Sequence, residues 1–113
     1  MLPAANQLKK KKDFEKVFKK GKGYKEGFLY LKTADNNLQA SRFGFVTSKK
    51  FSPKAVIRNK TKRWLRESAK VNLLNIKNGI DIVVVVMPGF KADSFLELET
   101  TLRSLFKKAG VIK

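Results

Sequence analysis

The 113 residues include no cysteine and no histidine, and only 9 acids stand against 26 lysines and arginines. Without cysteine there is no disulfide, no thiolate nucleophile and no cysteine-held zinc. Without histidine the commonest general base and transition-metal ligand are missing. Most familiar protein active sites are thereby excluded. Long apolar runs are absent too: the longest, Ile82–Pro88, falls far short of the roughly 20 residues that cross a bilayer. No membrane partner is expected. The amino terminus does not pair a cationic start with an apolar stretch, because Lys9–Lys12 stands where the apolar part of a secretory signal belongs. A cytoplasmic location is the expectation.

What is abundant is positive charge, +17 in all. Such an excess could signal disorder. Leu, Ile, Val and Phe nevertheless make up nearly a third of the chain, well above the roughly 20% below which chains stay unfolded. A folded domain that meets polyanions is expected, spanning residues 1–113 as one basic unit with residues 1–12 as a flexible basic arm. Self-repulsion predicts partial unfolding at low ionic strength until anions bind.

Hydrophobic periodicity sets the order of elements. Phe14, Val17 and Phe18 recur at helical spacing and are stopped by Gly21 and Gly23. Tyr24–Thr33 reads as a strand, Asp35-Asn36-Asn37 as a turn, and Ser41–Ser48 as a second strand pairing antiparallel with the first. A long helix is predicted from about Lys54 to Leu74 or Ile76, with Asn78-Gly79 as its stop. Ile80–Met87 has no polar face and so predicts a strand covered on both sides. Ser94-Phe95-Leu96-Glu97 has capping-box spacing at the head of a final amphipathic helix closed by Gly110. The expectation is an α+β fold, a single-domain α/β sandwich of order α-β-β-α-β-α, with Trp64, Phe43 and Phe45 in its core.

On the long helix, placing Arg58 at 0° puts Lys62, Arg66, Lys70 and Arg63 at roughly 40°, 80°, 120° and 140°. Thr61, Leu65, Ser68, Ile57, Trp64 and Val71 fill the complementary arc. Like charges four residues apart each cost a few tenths of a kcal/mol, so surface helices usually alternate signs. A helix that repeats the repulsion predicts a phosphate backbone opposite it. Three of the five arginines, Arg58, Arg63 and Arg66, lie here, and guanidinium groups grip phosphate bidentately.

The run Arg58-Asn59-Lys60-Thr61-Lys62-Arg63-Trp64-Leu65-Arg66 resembles the signature helix of the bacterial ribonuclease P protein subunit, R-N-R-x-[KR]-R-x-x-R. The likeness extends through Asp13–Phe18, Phe43–Lys50, Ala55-Val56 and the strand ending Pro88-Gly89. Lys60 departs from it, standing where the family commonly has a second arginine. The resemblance implies a ribosomal-protein-like sandwich with an unusual left-handed βαβ crossover from Ser41 to Ile82. It implies partnership with ribonuclease P RNA and precursor tRNA, whose 5′ leader the complex removes by metal-assisted hydrolysis, with no small-molecule substrate. Mg2+ would be bound mainly by the catalytic RNA, and the protein would carry no catalytic residue or metal of its own. By the same resemblance Arg58, Asn59, Lys60, Lys62, Arg63 and Arg66 would face the catalytic RNA. Phe14, Phe18, Ser48, Lys49 and Lys50 would bind the leader, where flat rings can stack on unpaired bases without demanding a sequence. Phe28, Tyr30 and Lys32 share a strand face that could also reach it.

Duller readings stand beside these. Phe14 and Phe18 could simply pack the first helix onto the sheet, and Lys49 and Lys50 could be a solvated strand end. A structural, ribosomal-like RNA-binding protein with no catalytic role would use the same basic helix. A nuclease with its own acids would need a carboxylate cluster. The only close pairs, Asp13/Glu15 and Glu97/Glu99, sit where acids favour the first turn of a helix.

Overall fold

The computed structural model describes residues 2–91 and 94–113. Its elements are α1 (Lys11–Lys20), β1 (Lys22–Glu26), β2 (Leu29–Asp35), β3 (Arg42–Val46), α2 (Ala55–Asn72), β4 (Ile80–Val86) and α3 (Phe95–Lys108). The strands form one mixed sheet in the order β1-β2-β4-β3. The strand expected over Tyr24–Thr33 is divided. Gly27, at φ 58°, opens a two-residue hairpin loop in which Glu26 pairs with Leu29, a turn that needs a left-handed first residue. Otherwise the expected succession of helices and strands holds.

The expected antiparallel pairing of β2 with β3 does not form, because β4 lies between them. It runs antiparallel to β2 and parallel to β3, making β3-α2-β4 a crossover unit. A strand apolar on both sides is best placed in the interior of the sheet. Ile82, Val84 and Val86 join the large core beneath α2 and α3, while Val83 meets Leu8 and Val17 on the opposite face. The Asn36–Ala40 turn instead closes over the start of β4: the Asn36 amide donates to Ala40 O at 3.0 Å and Asp81 Oδ1 at 2.9 Å.

The large core also takes Phe43 and Phe106, whose rings meet edge to face at 6.0 Å. Phe45 stacks on Phe43, and Trp64 is half-buried against Phe95. The inner face of α2 is narrower than the helical wheel predicts. Thr61, Leu65, Ser68, Ala69 and Asn72 are buried, whereas Ile57 and Val71 are 40% and 58% exposed. Small residues at 68 and 69 let the helix lie close to its neighbours. Asn72 then reaches Glu99 of α3, which Arg103 also holds at 2.6 Å. Ser94 caps α3 as the sequence predicts, accepting from Glu97 N.

Residues 2–8 are not a free arm. Leu2 and Leu8 are buried, Gln7 bridges to Phe43 in parallel, and Leu8 N donates to Phe43 O at 2.9 Å. The two leucines anchor the segment against the sheet, so only Lys9 and Lys10 separate it from α1. Among the described residues, no helix is long and apolar enough to cross a membrane.

Candidate nucleic-acid interface

α1 and α2 lie on opposite faces of the sheet, and the edge of β3 runs between them. A cleft of about 470 Å³ follows that edge, lined by Lys9, by Lys11, Phe14, Glu15 and Phe18 of α1, by Phe45, Val46 and Thr47, and by Lys62 of α2. A second hollow, of about 270 Å³, continues it past Phe14, Gly44 and Phe45 to Lys62 and Arg66. The two adjoining hollows share Lys9, Phe14, Phe45 and Lys62 in their linings.

The position of α1 rests on few contacts. Val17 is its single fully buried residue and packs with Leu8 and Val83. Phe14 lies over Gly44, where any Cβ would collide with its ring, so the absence of a side chain at 44 makes room for the aromatic wall. Polar ties complete the fit. Arg42 grips the buried Asp81 through two hydrogen bonds, Nε to Oδ1 at 2.8 Å and Nη2 to Oδ2 at 2.7 Å, and its Nη1 reaches Asp13 of α1 at 3.4 Å. The hydrogen bond to Asp81, together with attraction to both carboxylates, holds the Arg42 guanidinium above its ordinary pKa. Lys32 donates to Phe18 O at 2.6 Å, a cation on the carbonyl end of α1.

The expected catalytic-RNA residues divide. Lys62 and Arg66 line the second hollow, and Asn59 and Arg63 are exposed on α2. Arg58 Nη1 donates to Ser52 O at 2.9 Å, bracing the loop before the helix. Lys60 turns away. Its ammonium stands 4.6 Å from the centre of the Trp64 ring, and it lines a separate pocket with Phe51, Trp64, Phe90 and Lys91. A cation at the border of the helix face takes an aromatic partner when one lies a turn away.

Of the expected leader residues, Phe14 and Phe18 line the cleft, and Phe18 is 39% exposed. Ser48, Lys49 and Lys50 are exposed just beyond Thr47, in a turn where Phe51 N–H donates to Ser48 Oγ and to Ser48 O. Phe28 sits at the hairpin tip, half exposed and beside Gly89. Lys9, Lys11, Phe45, Val46 and Thr47 were not among the expected site residues. Alternation assigns each strand residue to a face but does not reveal that β3 is an edge, and the lysine run read as an arm. The paired acids have structural partners: Asp13 faces Arg42, and Glu99 faces Asn72 and Arg103. Among the described residues, no group of three or more carboxylates comes together to hold a metal ion.

Residues 2–110 match the family model described as Ribonuclease P. A ribonuclease P protein component from Pseudanabaena is 40% identical, with 99% of this chain and 97% of the relative aligned. One from Alkaliphilus metalliredigens is 36% identical over 95% and 96%. Among solved structures, the Staphylococcus aureus RNase P protein superimposes with a TM-score of 0.87 at 32% identity, covering 96% of this chain and 98% of that one. The Thermotoga maritima RNase P protein gives 0.81 at 34%, over 90% and 96%. With its cationic helix, aromatic cleft and whole-length likeness to these proteins, the chain belongs to the ribonuclease P protein family.

Proposed function

We propose that this chain is the protein subunit of ribonuclease P, joining a catalytic RNA to remove the 5′ leader from precursor tRNA. One observation carries the reading: Phe14 and Phe18 line a cleft with Lys62, and the hollow that shares Phe14 and Lys62 with it is lined by Arg66. A strand lying in the cleft thus runs onto the cationic face of α2. Arg58, Asn59, Lys62, Arg63 and Arg66 meet the catalytic RNA, with Lys60 as a more peripheral contact. Phe14 and Phe18 stack on leader bases, and Ser48, Lys49 and Lys50 extend the path beyond Thr47. Such contacts suit an unpaired strand of variable sequence.

The protein's role in the reaction is to bind and orient. Mg2+, which would be held mainly by the RNA, would supply Lewis-acid chemistry there. The described residues offer it no carboxylate cluster, so no step is assigned to a metal on this chain. The protein acts as one basic domain over residues 1–113, in the cytoplasm, where precursor tRNA is processed.

The test is single-turnover cleavage of a precursor tRNA at low magnesium and about 150 mM monovalent salt, near-physiological screening, using catalytic RNA alone, protein alone and both together. Stimulation only in the combined reaction, reduced by Phe14→Ala or Arg66→Ala, is the expected result. Cleavage by protein alone would make it a nuclease in its own right, and RNA binding without stimulation would make it a structural RNA-binding protein.

A further inference from the structure

Phe45 of β3 lines both the cleft and the adjoining hollow. Leu8 N donates to Phe43 O, so the carbonyl of Phe43 points away from β4, toward the open edge. Phe45 follows two residues later and presents its groups to the same side, because strand backbone orientation repeats every second residue. The opposite side of the sheet agrees. Met87 N donates to Phe28 O, so odd-numbered residues of β4 bond to β2, leaving Ile82, Val84 and Val86 to bond Arg42, Gly44 and Val46. Among the described residues, the amino-terminal segment pairs with β3 only at Phe43, and no other backbone bond reaches Phe45. Its N–H and C=O are therefore an unused donor and acceptor.

These groups lie in the leader cleft. Successive strand side chains point to opposite faces, yet Phe45, Val46 and Thr47 all line the same hollow, so the hollow must pass over the edge of the strand. On one flank stand the rings of Phe14 and Phe18, and around it the ammonium groups of Lys9, Lys11 and Lys62. Rings take bases and cations take phosphates. What lies between base and phosphate in a nucleotide is the ribose, whose 2′-hydroxyl both donates and accepts and is the group that distinguishes RNA from DNA.

We propose that the Phe45 backbone N–H and C=O bind the 2′-hydroxyl of one leader nucleotide, making the cleft selective for RNA without reading sequence. The proposal rests on the leader-binding function given above. The experiment uses the complex of catalytic RNA and protein, with precursor tRNAs carrying a single 2′-deoxy substitution at successive leader positions upstream of the scissile bond. The expected result is roughly three- to tenfold weaker binding, the size of one hydrogen bond, at one leader position, with no such loss for catalytic RNA alone. Incorporating phenyllactic acid at position 45 replaces the N–H with an ester oxygen and keeps the ring. That variant should bind the unmodified leader several-fold more weakly and respond less to the deoxy substitution. A flat profile across the leader, or the same profile without protein, would overturn the proposal. If the protein failed to tighten binding of the unmodified leader at all, the leader-binding function itself would fall, an outcome distinct from a flat profile.

Discussion

The two faces of the sheet are covered very differently. Under α2 and α3 lies a broad core, from Leu29 and Leu31 through Ile82, Val84 and Leu102 to Phe106. Under α1, among the described residues, the fully buried cluster is just Leu8, Val17 and Val83, edged by the partly buried Phe14, Ala34, Val46 and Val85, and polar ties supplement it: Asp13 to Arg42, and Lys32 to Phe18 O. The thick side sets stability. The thin side holds the rings proposed to meet the leader, and elements with few buried apolar contacts are those that open most readily. A cleft wall held this way can adjust its shape without disturbing the core.

The comparison breaks most visibly on its thick side. Phe106→Ala should cost about 3–5 kcal/mol, read by urea unfolding, while leader affinity of the folded fraction stays near wild type. If that affinity collapsed as well, the two sides would not be separable. Arg42→Ala should cost about 3 kcal/mol, because Asp81 would remain buried without its partner. This variant should also speed hydrogen exchange in α1 more than in α3. Since the Arg42 guanidinium is held above its ordinary pKa by hydrogen bonding and attraction to carboxylates, its contribution is complete below that ordinary value over the range where carboxylates are ionised, and on the alkaline side is lost only as pH rises through the elevated value. The variant's deficit should accordingly be flat from pH 5 to 9, within the range where arginine stays protonated.

Smaller effects sharpen the picture of the thin side. Phe18→Ala should weaken leader binding by about 1–3 kcal/mol, one base stack, and leave stability within about 0.5 kcal/mol, as expected for a surface side chain. Gly44→Ala should displace the Phe14 ring and weaken leader binding by several-fold, with affinity for the catalytic RNA unchanged. Arg66→Ala should lower that RNA affinity and reduce the slope of log affinity against log salt by about 1, one phosphate contact. Equal loss of leader and catalytic-RNA affinity in Gly44→Ala would mean that the two surfaces are not distinct.

Much of this was legible in the residues. The α2 cations, the doubly covered β4 and the Ser94 cap each follow from a local pattern whose period or spacing is unambiguous. The lateral order of strands does not, because the side chains of β2 and β3 specify faces and not neighbours; only the two-sided apolarity of β4 hints that it belongs between them. Leu2 and Leu8 are too sparse to form a periodic signal beside four lysines, so the amino-terminal segment reads as a tail. Gly27 within an aromatic run reads as a tolerated interruption until its positive φ reveals a turn. Lys60 belongs to the cationic motif by sequence, yet the Trp64 ring, a contact spacing cannot choose, draws it to another pocket.

The insertion of β4 between β2 and β3 also sets a timetable for synthesis. As the chain leaves the ribosome, β1 and β2 can form their hairpin, but β3 has no strand of the sheet to join, only the amino-terminal bridge at Phe43. The sheet can be completed only after residue 86 has emerged, and two partners then claim the same late strand at once. Until that moment one side of β2 and the β4-facing side of β3 are unpaired, the kind of bare edge through which nascent chains associate. The interval between translating Arg42 and Val86 is therefore when this molecule is most exposed to mispairing, and slow codons placed there would lengthen it.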